Sequence, residues 1–255
     1  MPVFTRAILR KPGKSMIKGL RSADLGIPDY DLALGQHAAY ARALQLCGLE
    51  TIMLDADERY PDSVFVEDTA LLTSAGAIIT RPGAETRRGE VVEMKEILAG
   101  HFDKIYEVTE PGSVDAGDIM MVGSHFFIGL SERTNREGAD QIISFLEKHG
   151  MTGSIIELVN ILHLKTGVSY LENNYLVATG ELLDKPDFKK FHVLKVEKAE
   201  SYAANCIWVN GNVLIPAGYP RALKNIHEAG YNTIEVDVSE FRKLDGGLSC
   251  LSLRF

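Results

Sequence analysis

Cysteine is scarce in this chain: Cys47, Cys206 and Cys250 are the only three in 255 residues, and no two form a C-x-x-C pair. Neither a disulfide scaffold nor a structural zinc site is suggested by that count, and the thiols are expected to stay reduced. No stretch is apolar for long enough to span a bilayer. The opening MPVFTRAILRKPGKSM carries basic residues without the continuous apolar run of a signal peptide. No membrane association and a cytoplasmic location are therefore expected. Positive charge is in deficit, with 27 Lys and Arg against 35 Asp and Glu and a net charge of -8. A nucleic-acid partner needs a basic patch to displace counterions, so the balance argues against one and favours a cationic ligand. Linker and low-complexity segments are missing as well, which leaves a single domain over residues 1–255, long enough to bury a substantial core. The histidines lack ligand spacing, so no metal is expected. The one tryptophan, Trp208, alternates with apolar neighbours in CIWVN and reads as core.

What the chain does contain is a repeat. Thr69 to Thr80 (TALLTSAGAIIT) reads as strand, turn, strand, followed by the polar loop RPGAETRRGE, the helical run VVEMKEILAG and the strand KIYEV. Fifty residues separate Asp68 from Asp118, and after Asp118 the same order returns: hairpin IMMVGSHFFIGL, loop SERTNREGA, helix DQIISFLEKHG, strand SIIEL. A further copy begins near Asn205. There CIWVNGNVLIPAG carries an Asn-Gly hairpin signal, PRALKNIHEAG is a helix closed by Gly230, and NTIEVDV is the returning strand. SYLENNYLVATGEL, from Ser169, opens like another copy with a weaker helix. At the front, FTRAIL supplies one strand before a helix from Tyr30 to Cys47 and the strand TIML. About five such units account for nearly the whole chain, and a closed array of them brings equivalent loops to one mouth. An open α/β sheet of two lobes is the alternative.

Those loops carry chemistry. VED (Val66 to Asp68) precedes the hairpin at Thr69, and DAGD (Asp115 to Asp118) precedes the next. The loops after the two hairpins carry Arg87 with Arg88, and Arg133. Carboxylates and guanidinium groups at one mouth suit a ligand with a cationic end and a carboxylate end, such as an amino acid with a basic side chain; loop salt bridges and turn caps are the plainer reading. Cys250, just beyond the glycine pair of DGGLSC, is a nucleophile candidate, since glycines let backbone approach a ligand closely. A buried apolar filler is the reading to set beside it. Cys47 and Cys206 read as packing residues.

The strings PDSVFVED, ITRPGAETRRGE, DAGDIMM, ILHLKTG, AANCIWVN and DGGLSC, in this order across essentially the full length, resemble the dimethylarginine dimethylaminohydrolases among the guanidine-modifying enzymes. The resemblance implies an α/β fold, a five-bladed α/β propeller (pentein) of ββαβ repeats with pseudo-fivefold symmetry. It implies hydrolysis of Nω-methylated L-arginines to L-citrulline and a methylated amine, with no cofactor and no metal. Cys250 would be the nucleophile, His163 the general acid and base, and Asp115 the carboxylate that orients it, an Asp where close bacterial members have Glu. Asp68, helped by Glu67, would clamp the guanidinium; Asp62 and Phe65 would line the pocket; Arg87 and Arg133 would meet the substrate carboxylate. The α-amino group would face carbonyls near Leu20 and Leu244, with Gly19 to Gly26 as a lid. An arginine deiminase-type hydrolase and, more distantly, a non-catalytic binding protein are the rival functions. A homodimer could form through an exposed strand edge.

Overall fold

The structure is a computed structural model that describes residues 3–22 and 24–255. Ala23, within the expected lid segment, lies outside the described residues. Among the described residues, fifteen strands form five three-stranded sheets, and every sheet has the same plan. Two strands pair antiparallel, then the inner one pairs parallel with a third strand reached through a helix or a set of short turns. Parallel pairing demands such a crossover, so the alternation of hairpin and helix in the sequence already determined the plan. The inner strands Gly76–Ile79, His125–Leu130, Tyr175–Ala178 and Asn212–Pro216 are buried along nearly all their length. That is why they read as continuous apolar runs rather than as alternating ones.

Helices stand where the sequence placed them, and their ends have physical causes. Tyr30–Leu46 starts at Asp29, whose carboxylate accepts from Leu32 N at 3.0 Å. Arg136–Lys148 starts at Asn135, which accepts from Gly138 N at 2.9 Å, several residues earlier than the apolar pattern alone indicates. Pro220–Glu228 has proline in its first turn, and Glu200 accepts from Ala222 N at 2.8 Å. The weak copy from Ser169 has short 3-10 turns, Gly180–Asp184 and Pro186–Phe188, in place of a helix. The Asn-Gly hairpin takes the positive φ values of a primed turn, 49° at Asn210 and 89° at Gly211.

One sheet was not legible as a repeat. The front strand Arg6–Arg10 pairs parallel with Glu50–Leu54, while its antiparallel partner is Leu253–Arg254 at the other end of the chain. The repeat is thus divided between the two ends of the sequence, and the segment that carries Cys250 leads directly into its edge strand.

The chain packs as two compact units. Residues 1–66 with 166–255 form one, holding three of the sheets; residues 67–165 form the other, holding two. In the first unit, one apolar cluster gathers Met16, Tyr40, Leu44, Phe65, Phe241 and Cys250, and a second gathers Trp208, Val213 and Ile226. In the second unit the core is built from Ile78, Val114, Phe126, Ile128, Ile142 and Leu146. Among the described residues, no helix is long and apolar enough to cross a membrane.

Tyr40 anchors the C-terminal strand segment. It is fully buried, its hydroxyl donates to Leu248 O at 2.9 Å, and it lies 2.7 Å from Ser252 Oγ. Tyr40→Phe leaves a buried carbonyl without that donor and is expected to lower stability by about 1–3 kcal/mol. A lower urea midpoint at unchanged slope would show it.

Candidate active site

The residues expected to act together fall into one cluster in each unit. In the 67–165 unit, Asp115 and His163 meet directly. Asp115 Oδ2 accepts from His163 Nε2 at 3.1 Å, and Asp115 Oδ1 accepts from Gly83 N at 2.9 Å. The shorter aspartate therefore reaches the imidazole, and it is itself oriented by a backbone donor. Both side chains are buried. With Nε2 engaged, Nδ1 is the nitrogen left for proton transfer. It lies over Gly117, where an ideal Cβ would come within 2.9 Å of it. Glycine is required at 117 by that approach.

Burial opposes charge on His163, but Asp118, Asp68 and Asp115 together outweigh it and push the imidazole up to about 9. At neutral pH the ring is an imidazolium, the form a general acid needs. Asp68 is the clearest anion of the group. Burial alone would raise its carboxyl, yet Arg87 and His163 hold it below the usual range. Its Oδ2 accepts from Arg87 Nη1 at 2.6 Å and its Oδ1 from Gly117 N at 3.0 Å.

Two expected roles are altered by these contacts. Arg87, expected to meet a substrate carboxylate beside Arg133, instead has all three guanidinium nitrogens bonded to carboxylates of the protein. Nη1 donates to Asp68, while Nε and Nη2 donate to Glu90 at 2.8 to 3.2 Å. A buried guanidinium without such partners would be strongly destabilising, and the paired acids raise its basicity further. Glu67, expected to help the guanidinium clamp, pairs with Lys165 Nζ at 2.7 Å. Arg133 differs from Arg87: it is half-buried, and among the described residues its guanidinium makes no ion pair. Its backbone presses on Gly83, where an ideal Cβ would meet Arg133 O at 2.4 Å, so the two arginine-bearing loops touch through a glycine.

Asp68, Asp115 and His163 place one ligand atom each within 4.8 Å of one another. By distance they could hold a metal ion, a grouping that sequence spacing concealed. Metal binding there would require His163 to give up a proton that the surrounding acids hold up to about 9.

The second cluster belongs to the other unit. Cys250 is buried, and Gly247 N donates to its Sγ at 3.4 Å across a one-turn 3-10 helix, Ser249–Leu251. The glycine pair serves the protein itself. An ideal Cβ on Gly246 would come within 2.1 Å of the Phe65 ring, and one on Gly247 within 2.5 Å of the Asn205 side chain. Asn205 Oδ1 also accepts from Ser249 N at 2.9 Å, and Tyr202 donates to Gly246 O at 2.7 Å. Both residues hold the cysteine turn, and sequence reasoning passed over them although Asn205 sits in the AANC string. Asp62 accepts from Leu20 N at 2.9 Å, and a Cβ on Gly19 would touch both Asp62 and Leu244. Leu20, Asp62 and Leu244 thus come together at the base of the Gly19 to Gly26 segment. Ser22 N is in turn capped by the Asp245 carboxylate. Cys47 and Cys206 are buried, and burial pushes the Cys206 thiol up to about 12, which makes it inert as a nucleophile.

Known proteins share this arrangement of elements. The arginine deiminase family model matches residues 58–207. An N(G),N(G)-dimethylarginine dimethylaminohydrolase from Pseudomonas aeruginosa is 56% identical over 99% of this chain and 100% of its own length. One from Streptomyces coelicolor is 33% identical over 98% of this chain and 96% of its own. A solved structure of a cysteine-to-serine variant of the Pseudomonas protein, in complex with citrulline, superposes with a TM-score of 0.99 at 55% identity and full coverage of both chains. The N-terminal domain of the cyanobacterial arginine dihydrolase ArgZ, at 19% identity, has a TM-score of 0.90 over 99% of this chain and 97% of its own, a likeness of fold alone. The expected α/β class with five repeats is borne out by these likenesses.

The imidazolium gives a pH test. His163 titrates near 9 in the folded protein against 6.5 when unperturbed, so its contribution to stability is complete below pH 6.5 and is lost as pH rises through 9. Denaturant unfolding at several pH values across that window should show a decline that is smaller in His163→Gln. Equal declines in the two proteins would contradict the assignment.

Proposed function

The chain belongs to the dimethylarginine dimethylaminohydrolase family, and from that premise we propose that it hydrolyses Nω-methylated L-arginines to L-citrulline and a methylated amine. The observation that carries the reading is the buried Asp115–His163 pair, charged as a general acid must be, beside the ionised Asp68. A binding module has no use for that arrangement. Solved relatives support it: one is a cysteine-to-serine variant with citrulline, another a histidine-to-glycine variant carrying an S-methyl-L-thiocitrulline adduct.

The guanidinium carbon is a poor electrophile because its positive charge is spread over three nitrogens. The site must therefore hold the cation rigidly against a strong nucleophile. Asp68, kept ionised by Arg87, supplies the anion for the guanidinium, and Arg133 supplies the cation for the substrate carboxylate. Asp62 and Phe65 line the pocket, and the backbone near Leu20 and Leu244 receives the α-amino group. Cys250 is the nucleophile. A free thiol is only a few per cent thiolate at neutral pH, and a guanidinium bound beside Cys250 raises that fraction by attraction of opposite charge. The thiolate adds to the guanidinium carbon. His163 gives its proton to the departing dimethylamine as the C–N bond breaks, leaving an S-alkylthiouronium on Cys250. Water then adds to the same carbon and its proton passes to His163; the C–S bond breaks, citrulline leaves and the thiol is restored. The reduced thiols favour a cytoplasmic setting.

The arginine deiminase family match keeps one rival in view, hydrolysis of unmethylated arginine. Product analysis separates the two: dimethylamine with citrulline from asymmetric dimethylarginine supports this reading, whereas ammonia from arginine as the main activity overturns it. Cys250→Ser is expected to reduce turnover at least about a thousandfold. Arg133→Ala removes one charge-assisted contact made in ground and transition states alike, so KM should rise about tenfold or more with a smaller change in kcat.

A further inference from the structure

Asp118 closes the DAGD turn, and beyond the charge it sets against His163 it has a structural part of its own. It is fully buried, and its hydrogen-bond partners are three uncharged donors. Oδ2 accepts from Ser131 Oγ and from Thr134 Oγ1, each at 2.7 Å, and Oδ1 accepts from Leu164 N at 2.9 Å. A buried carboxylate held only by neutral groups is costly unless those bonds are all made.

Each hydroxyl that donates to Asp118 turns its lone pairs on backbone elsewhere. Ser131 Oγ accepts from the N–H groups of Arg133 at 3.0 Å and Thr134 at 3.2 Å. Thr134 Oγ1 accepts from Asp115 N at 3.1 Å. Leu164 N belongs to the peptide that follows His163. One carboxylate therefore fixes the backbone at Asp115, at Arg133 and beside His163. An amide could not replace it. An asparagine amino group facing Ser131 would meet an oxygen whose lone pairs are already used, and turned the other way it would meet the Leu164 N–H. Gly129 leaves the room, since an ideal Cβ there would lie 3.0 Å from the Leu164 side chain and 3.3 Å from Asp118 Oδ1.

We propose that Asp118 is a positioning residue for the reaction, a single acceptor that holds the His163 peptide, the Asp115 partner and the Arg133 loop in register. The proposal rests on the roles given above to His163, Asp115 and Arg133. Its charge acts on His163 as well. Within the unit, the acids facing that imidazole are Asp115, Asp68 and Asp118, with Arg87 paired behind Asp68 and Lys165 paired to Glu67. Burial raises Asp118 itself to about 6, so it is an anion at neutral pH.

The test is Asp118→Asn in the full chain, read by two independent measurements. Steady-state kinetics with asymmetric dimethylarginine should show kcat/KM reduced about a hundredfold, through both a lower kcat and a higher KM. NMR of histidine-labelled protein should show the His163 midpoint lowered by about one pH unit or more. A folded variant with kcat/KM within about threefold of the parent, or with reduced kcat and an unmoved His163 midpoint, overturns the proposal. Ser131→Ala and Thr134→Val carry the test if the asparagine variant does not fold. The first should raise KM more than it lowers kcat, the second should lower kcat, and unchanged kinetics in both would overturn the proposal. The His163 titration needs no turnover, so it reads Asp118 even if the parent protein fails to hydrolyse methylarginines and the proposed function falls.

Discussion

Cations buried among carboxylates are the constraint on which the 67–165 unit depends. His163 and Arg87 would each be disfavoured as ions by desolvation, and each stays charged because acids surround it. The dependence runs in a chain. Asp68 is ionised because Arg87 bonds it, Arg87 tolerates burial because Glu90 bonds its other side, and His163 keeps its proton because Asp118, Asp68 and Asp115 surround it. Five acids, Glu67, Asp68, Glu90, Asp115 and Asp118, stand against three cations, Arg87, His163 and Lys165. The cluster is short of positive charge, and a guanidinium is the kind of ligand that redresses the balance.

The repeat explains how two of these acids came to be buried. Asp68 and Asp118 both stand just ahead of the first strand of a hairpin, Asp68 two residues before Ala70 and Asp118 next to Ile119. Each hairpin feeds an inner strand buried along nearly all its length, so side chains just ahead of the hairpin are carried inside and must find partners there. Both find them in the loop after their own hairpin: Asp68 in Arg87, Asp118 in Ser131 and Thr134. The backbone plan is the same and the filling differs. An ion pair makes Asp68 a strong anion suited to a cation, while hydroxyls make Asp118 an anchor that passes its fixity to three backbone segments.

Much of this was legible in the sequence because hairpins and helices are local. The alternation around Thr69–Thr80, the Asn210-Gly211 turn and the apolar stripe of Tyr30–Leu46 depend on neighbours a few residues away. The divided sheet was not, because pairing Arg6–Arg10 with Leu253–Arg254 joins the two ends of the chain. At the site, residue types were legible and partners were not. Arg87 and Arg133 occupy matching loops and each has a glutamate one helical turn beyond it, Glu90 and Glu137, yet among the described residues only Glu90 pairs with its arginine. Asp118 reads in sequence only as one more carboxylate at the mouth, because its donors are a serine, a threonine and a backbone N–H, none of which marks a site by composition.

The glycines before Cys250 show how a correct sequence signal can have a different cause. Their lack of side chains was expected to admit a ligand; the structure uses it to admit Phe65 and Asn205 against the backbone. The consequence for the cysteine is rigidity. With Gly246 O held by Tyr202, Ser249 N held by Asn205 and Gly247 N donating to Sγ, the turn has few alternatives and the sulfur is held in place. A fixed sulfur matters for this reaction in particular, because a delocalised guanidinium offers its carbon only along the normal to its plane. A hydrogen bond to sulfur from a backbone N–H also favours the thiolate once it forms. At Cys206 burial pushes the thiol up to about 12 even though Ser169 and a backbone N–H both hydrogen-bond to it. The turn that carries Cys250 is shaped by an asparagine, a tyrosine and a phenylalanine distant from it in sequence.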